Sequence, residues 1–187
     1  MQSFFEYLLE KAEYKAQPDE SEVVHHASNS NFTEFHPLSH FGTANAARAR
    51  AIYDTEPEDE GKKRTKPKNL YTARIKLGKV AHIADTDDEH TPITILDSLH
   101  DAGHIDKASH REYTTAMHKL HTDEDRKKVL LNVLKKHKIN TISYNNTVED
   151  PGSRSYIISH PSQVRLLQKT KSPVDAVRGE KHLNDMW

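Results

Sequence analysis

The chain has 187 residues, with 27 Lys and Arg set against 28 Asp and Glu and a formal net charge of −1. That length suits one domain with a sizeable core, and the charge balance argues against a generic polyanion binder. Apolar residues make up only 34% and charged residues 29%, so the core must be economical; the absence of cysteine excludes disulfides, thiolate nucleophiles and cysteine-ligated zinc.

Residues 1–16 set Phe4, Phe5, Leu8, Leu9 and Ala12 at helical spacing before Gln17-Pro18-Asp19 breaks the pattern. An amphipathic helix and linker over residues 1–20 are expected. Glu6 and Glu10 stand where a secretory signal carries basic residues, and no apolar run approaches a membrane span, so a soluble intracellular protein is expected. Residues 55–69 pass from Glu56, Glu58, Asp59 and Glu60 to Lys62, Lys63, Arg64, Lys66 and Lys68. This predicts an exposed loop, either merely solvated or in contact with a target. Residues 70–77 alternate Tyr71, Ala73, Ile75 and Leu77 against Leu70, Thr72, Arg74 and Lys76, a half-buried strand, and residues 80–84 form a shorter one.

The middle of the chain reads as helices. One covers residues 93–102 and stops at Gly103, and a second covers 107–121 with Tyr113, Met117 and Leu120 on one face. Thr122-Asp123-Glu124-Asp125 opens a third like a capping box with Asp in the acidic slot. Val129, Leu130, Val133 and Leu134 give it a buried stripe, and Lys135, Lys136 and His137 suit its C-terminal end. Past Leu167 the sequence turns polar, so residues 169–187 are expected to be a loosely held tail.

Fourteen histidines raise the question of a metal. His100, His104 and His110, or His118 and His121, are the candidate sets, but Gly103 breaks the first and no acidic partner completes a ligand spacing. Solvated histidines and no metal are expected. No Gly-rich phosphate loop or nucleophile elbow is present.

Residues 139–144 carry β-type alternation at Ile142 and Tyr144, residues 155–159 are rich in β-formers, and Asp150-Pro151-Gly152-Ser153 supplies a turn between them. Glu149 therefore stands at a strand end. By itself that position fits either a solvated loop glutamate or a carboxylate projecting into a cleft.

The sequence from Asn146 and Glu149 through Pro151-Gly152 and Ser155-Tyr156-Ile157-Ile158 to Pro161-Ser162-Gln163-Val164-Arg165 resembles the C-terminal motif of ADP-ribosyltransferases. The likeness is to the small domains found in phage and mobile-element proteins. Val24-His25-His26-Ala27-Ser28 resembles the family's histidine-bearing strand, with His25 replacing the usual aromatic and Ala27 the usual glycine. Phe32-Thr33-Glu34-Phe35, then His40-Phe41-Gly42-Thr43 and the Ala-rich residues 44–51, resemble its second motif, a strand entering a helix. Thr43, Phe41 and Tyr53 are the candidates for that motif's functional position. The likeness runs from about residue 23 to residue 167.

The resemblance implies an α+β fold, a split β-sandwich of ADP-ribosyltransferase type over residues 21–168, with a helical insertion between the central and C-terminal strands. It also implies NAD as substrate. Breaking the nicotinamide–ribose bond develops an oxocarbenium-like cation, and Glu149 is implied as the carboxylate that stabilises it. His26 would hydrogen-bond the adenosine-side ribose, with Ser28 next to it on the strand. The backbone of Ala27 would meet the nicotinamide amide, and Tyr53, or failing that Phe41, would stack on its ring. Thr147 occupies the position where arginine-modifying members carry a second glutamate, so the acceptor, a host protein or nucleic acid, stays open. Leu8-Leu9-Glu10 resembles the cleavage pattern of head-targeting leaders in large tailed phages, which implies host cytoplasm or a virion head as the location. Two alternatives remain: a catalytically degenerate fold serving as a virion or interaction component, and an NAD glycohydrolase.

Overall fold

A computed structural model describes residues 21–53, 68–85 and 90–171. In chain order these form β1 (Ser21–Ser28), β2 (His40–Phe41), α1 (Ala44–Tyr53), β3 (Asn69–Lys76), β4 (Val80–Ile83), α2 (Pro92–Asp101), α3 (Lys107–His118), α4 (Asp123–Lys136), β5 (Thr141–Asn145), β6 (Arg154–Ile158) and β7 (Val164–Lys171). The helix expected over residues 1–16 with its Leu8-Leu9-Glu10 pattern, the charged loop up to Pro67, the Tyr53 side chain and the chain past residue 171 lie outside the described residues.

The architecture is α+β, with four helices among the described residues and two mostly antiparallel sheets. One sheet has the order β1-β3-β7, the other β2-β6-β5-β4, and only β4 and β5 run parallel. A parallel pair needs a crossover, and α2, α3 and α4 supply it between β4 and β5. This is the helical insertion expected from the sequence.

Period-two alternation drives the layering. Tyr71, Ala73, Ile75 and Leu77 are all fully buried, and they join Val24 of β1, Phe41 of β2 and Tyr156 and Ile158 of β6 in an apolar layer shared by the two sheets. On the far face of the second sheet, Ile142, Tyr144 and Ile157 meet Leu96 and Leu99 of α2, Met117 of α3, and Leu130, Val133 and Leu134 of α4. Strand β5 is thus covered on both faces, which is why Thr141 and Ser143 are buried beside Ile142 and Tyr144. The Thr141 hydroxyl meets the cost of burial by donating to the Leu77 carbonyl at 2.7 Å.

The helix ends follow their caps. Thr91 caps α2 through Thr94 N–H, and Gly103 at φ +74° lets the chain leave it. At α4 the Thr122 hydroxyl accepts from Asp125 N–H and donates to the Asp125 carboxylate, so Thr122 caps the helix but Asp125 does not close the expected capping box, its carboxylate being taken by the hydroxyl and not by the Thr122 N–H. Helix α3 ends at His118, three residues earlier than its periodicity suggests. Arg126, from the next helix, donates to the carbonyls of Met117 and Leu120 and turns the chain there.

The tail expected from residue 169 is corrected: β7 runs to Lys171, paired with Asn69, Leu70 and Tyr71. An edge strand is held by its backbone ladder, and most of β7 is exposed, so its sequence carries no apolar alternation to read.

The sheets touch at one point that admits no side chain. His25 and Gly42 exchange both backbone hydrogen bonds, at 2.8 and 3.1 Å. A Cβ at Gly42 would lie 2.8 Å from Ser155 Oγ and 3.1 Å from the Ala46 methyl. Gly42→Ala is expected to push β1, β6 and α1 apart at a cost of about 1–3 kcal/mol. Thermal unfolding should show a midpoint lower by about 3–10 °C, and an unchanged midpoint would contradict this packing.

Candidate active site

A cavity of about 230 Å³ lies among β1, β2, α1 and the β5–β6 loop. Of the residues expected from the sequence, Glu149, His26, Ala27 and Phe41 line it; Thr43 and Ser28 do not. His40, Arg50, Tyr144 and Asn146 join them.

Glu149 is held by the residue three positions before it. The Asn146 side-chain oxygen accepts from the backbone N–H groups of Val148, Glu149 and Asp150, at 3.1, 2.8 and 3.2 Å. Asn146 Nδ2 donates to Ser155 Oγ at 3.2 Å, and its backbone exchanges bonds with Ser153 and Gly152. Asn146 is buried, 2% exposed, so each of these groups needs its partner. The result is a closed loop that fixes the Glu149 backbone, with the glutamate side chain only 9% exposed.

Two side-chain contacts join this loop to α1. The Thr43 hydroxyl, which caps the helix by accepting Ala46 N–H, donates to the Asp150 carboxylate. Two turns on, Arg50 Nη1 lies 3.3 Å from Glu149 Oε1. Thr43 is therefore a tether for the Glu149 loop and not a wall of the cavity.

His26 Nδ1 lies 2.8 Å from the His40 carbonyl, so this nitrogen carries a proton and donates it there. The ring sits among Phe32, Phe35, Phe41 and Tyr71, with centroids 5.6 to 6.4 Å away. Phe41 is 2% exposed and packs on Phe35, so its ring is committed to the core and is not a stacking platform. Ala27 is more telling. In an antiparallel ladder alternate residues bond to opposite sides, and His25 bonds outward to Gly42. The Ala27 N–H and C=O face that same edge, one step past the contact, where the cavity begins. Ser28 ends the strand as a turn, its hydroxyl accepting from Ser30 N–H.

Behind Glu149 the polar rings of Tyr144, His40 and His90 pack together. The Tyr144 hydroxyl and His40 Nδ1 are 3.3 Å apart, and His90 packs on Tyr144 at 4.4 Å between centroids. Asp85 accepts from the Thr147 N–H and hydroxyl and faces His90 Nε2 at 3.5 Å. Burial, and then the negative charge of Glu149, raises the Tyr144 phenol well above its usual range, against the opposing effects of Arg50 and the Ser155 hydroxyl. Burial, and then Arg50, holds His40 well below the ordinary imidazole value, with His90 and His26 adding. His90 is lowered for the same two reasons, opposed by Asp85 and Glu149.

These neutral imidazoles set a pH dependence. In the unfolded chain they titrate near 6.5. Below that pH the unfolded state binds protons that the folded state refuses, so stability falls on acidification by up to about 1.4 kcal/mol per pH unit for each histidine. His25, lowered by burial and Arg48, acts in the same direction. His40→Gln is expected to make the melting temperature fall less steeply between about pH 6.5 and pH 5. Parallel slopes for variant and wild type would contradict a neutral buried His40.

Three of the histidines considered as metal ligands are engaged in the framework. His100 Nδ1 donates to the Ile105 carbonyl, His104 Nε2 donates to the His82 carbonyl, and His110 meets the Asp97 carboxylate at 2.7 Å. His118 and His121 are exposed. Among the described residues no three metal-donor side chains converge, and no helix is long and apolar enough to cross a membrane.

Fold and site thus define an α+β protein with a carboxylate and a guanidinium paired in a cavity where its two sheets meet. No protein-family model matches the chain, and neither the curated proteins nor the solved structures give a match.

Sequence reasoning passed over Arg50, His40, Tyr144, Asp85 and His90 as site residues. Only Asn146 left a local signal, since an asparagine heading a turn bonds to the backbone just ahead of it. Arg50 belongs to an Ala/Arg run whose periodicity gives no facing direction.

Proposed function

We propose that the protein is an ADP-ribosyltransferase of split β-sandwich type that binds NAD in this cavity and modifies a host protein or nucleic acid. The observation that carries the reading is Glu149: a nearly buried carboxylate, fixed by its own loop, in a cavity that also holds His26 and the outward backbone edge of Ala27. The nicotinamide–ribose C–N bond breaks and its electron pair leaves with nicotinamide. The acceptor's nucleophile then bonds to the ribose carbon and gives up its proton. Glu149 stabilises the cationic ribose between these events, an interaction that exists only when charge develops. The His26 ring hydrogen-bonds a ribose hydroxyl, and Ala27 offers both backbone groups to the carboxamide. On this reading the protein acts in a host cytoplasm, made there or carried in with a virion.

The test is incubation with NAD labelled in the adenylate and with a bacterial lysate. Label transferred to protein or nucleic acid supports the reading. Nicotinamide release without transfer would make the protein an NAD glycohydrolase. The absence of both would favour a binding protein on a degenerate transferase fold, for which the Arg50 cation beside Glu149 already speaks, because it neutralises the carboxylate.

A further inference from the structure

The whole chain is nearly neutral, but its β1-β3-β7 sheet is not: these strands carry five Lys and Arg against one acid. Tyr71, Ala73 and Ile75 of β3 are fully buried, so the alternate residues stand on the outer face, Arg74 and Lys76 among them, both exposed. Residues directly opposite in an antiparallel pair share a face, and the register puts Val23 on one side of Arg74 and Arg165 on the other. The one acid, Glu22, is opposite Ile75 and so lies on the other face. Arg74 and Arg165 are thus like charges in direct opposition, an arrangement that destabilises a sheet, and among the described residues no carboxylate pairs with either. An external anion placed between them relieves the repulsion. The same face runs under α1, where Ala27 and Leu70 pack with Ala47 and Ala51, and Ala47 also lines the cavity. Ala27 stands four residues from Val23 on β1, so the arginine pair is roughly 13 Å from the row where the cavity begins.

Resting on the transferase reading above, we propose that the outer face of this sheet holds the acceptor, and that the acceptor is a single-stranded nucleic acid gripped by its phosphates. Three cations without a carboxylate suit a run of phosphates, whose counterions are released as the strand binds. A protein partner needs a more apolar centre, and among the residues paired across this face Val23 is the one large apolar side chain left exposed. A single strand suits the cavity better than a duplex, because its base nitrogens are not taken up in pairing. One such nitrogen bonds to the ribose carbon as nicotinamide leaves with its electron pair, and its proton passes to solvent. The sheet thereby supplies the acceptor class that Thr147 leaves open.

The test measures fluorescence anisotropy of a labelled, mixed-sequence single-stranded DNA, and of the matching RNA, against the full chain over a range of salt. Wild type is expected to bind at least one of them with a Kd of about 1–100 μM, weakening as salt rises. Arg74→Ser and Arg165→Ser together are expected to weaken binding about tenfold at physiological salt and to reduce the log–log salt slope by about 1.4, the value of two phosphate contacts to a single strand. This double variant should melt no lower than wild type, because it loses a repulsion. Arg165→Ser alone, on the edge strand, is expected to lose about fourfold and carries the comparison if the double variant does not fold. With adenylate-labelled NAD, wild type is expected to pass label to the bound oligonucleotide. No binding by wild type, or equal binding by the variants, overturns the docking face and leaves the NAD site standing. Label that reaches lysate protein but never the oligonucleotide overturns the acceptor assignment in favour of a protein. Failure of wild type to bind NAD in calorimetry overturns the transferase reading and the acceptor role with it, a result distinct from loss of the oligonucleotide.

Discussion

Glu149→Gln is expected to lower NAD turnover by about a hundredfold or more while changing NAD affinity little. Glutamine keeps the volume and most of the hydrogen-bonding capacity of the side chain and removes only the charge. A charge that stabilises the transition state and not the ground state appears in turnover. The loop should survive, because Asn146 holds Val148, Glu149 and Asp150 by their backbone N–H groups and not by the glutamate side chain. Wild-type unfolding is therefore expected, apart from the loss of one ion pair with a partly exposed arginine, worth about 1 kcal/mol or less. Near-normal turnover in a folded Glu149→Gln preparation would refute the role given to this residue and favour the binding-protein reading.

Asn146→Ala should cost both stability and activity. It strands three backbone donors and removes the bond to Ser155 Oγ at a site that is 2% exposed. Part of the loop reaches solvent, so water recovers some of these bonds, and a net loss of about 2–4 kcal/mol is expected, or about 5–10 °C in the melting midpoint. Turnover should fall as far as in Glu149→Gln, because the carboxylate is no longer fixed. Asn146→Asp separates the two effects: it restores an oxygen that accepts all three N–H groups, and the Ser155 hydroxyl can turn to donate to it. That variant should melt within a few degrees of wild type. If Asn146→Ala melts and turns over like wild type, the loop is organised by something other than this side chain.

Residues 70–77 were legible because a strand buried on one face writes its environment into every second residue. Helix α4 was legible because its stripe and its cap agree. The end of α3 was not, since a side chain from the next helix stops it, and β7 was not, since an exposed edge is held by backbone bonds common to every residue. In the site, the motif pattern singled out Glu149 and His26 but also led to Thr43 and Phe41. The structure spends Thr43 on a helix cap and a tether, and Phe41 on the core.

By itself, then, the sequence determined the local matters: which stretches form strands and helices, that an acidic residue heads the β5–β6 turn, and that no thiol chemistry is available. Those follow from short-range periodicity and residue chemistry. Only the tertiary structure decided what faces Glu149. Arg50 lies 99 residues away in the chain, and Thr43 lies 107 residues from the Asp150 it tethers. Such pairs form when packed layers bring distant segments together, and neither partner's neighbours in the chain carry any trace of the other.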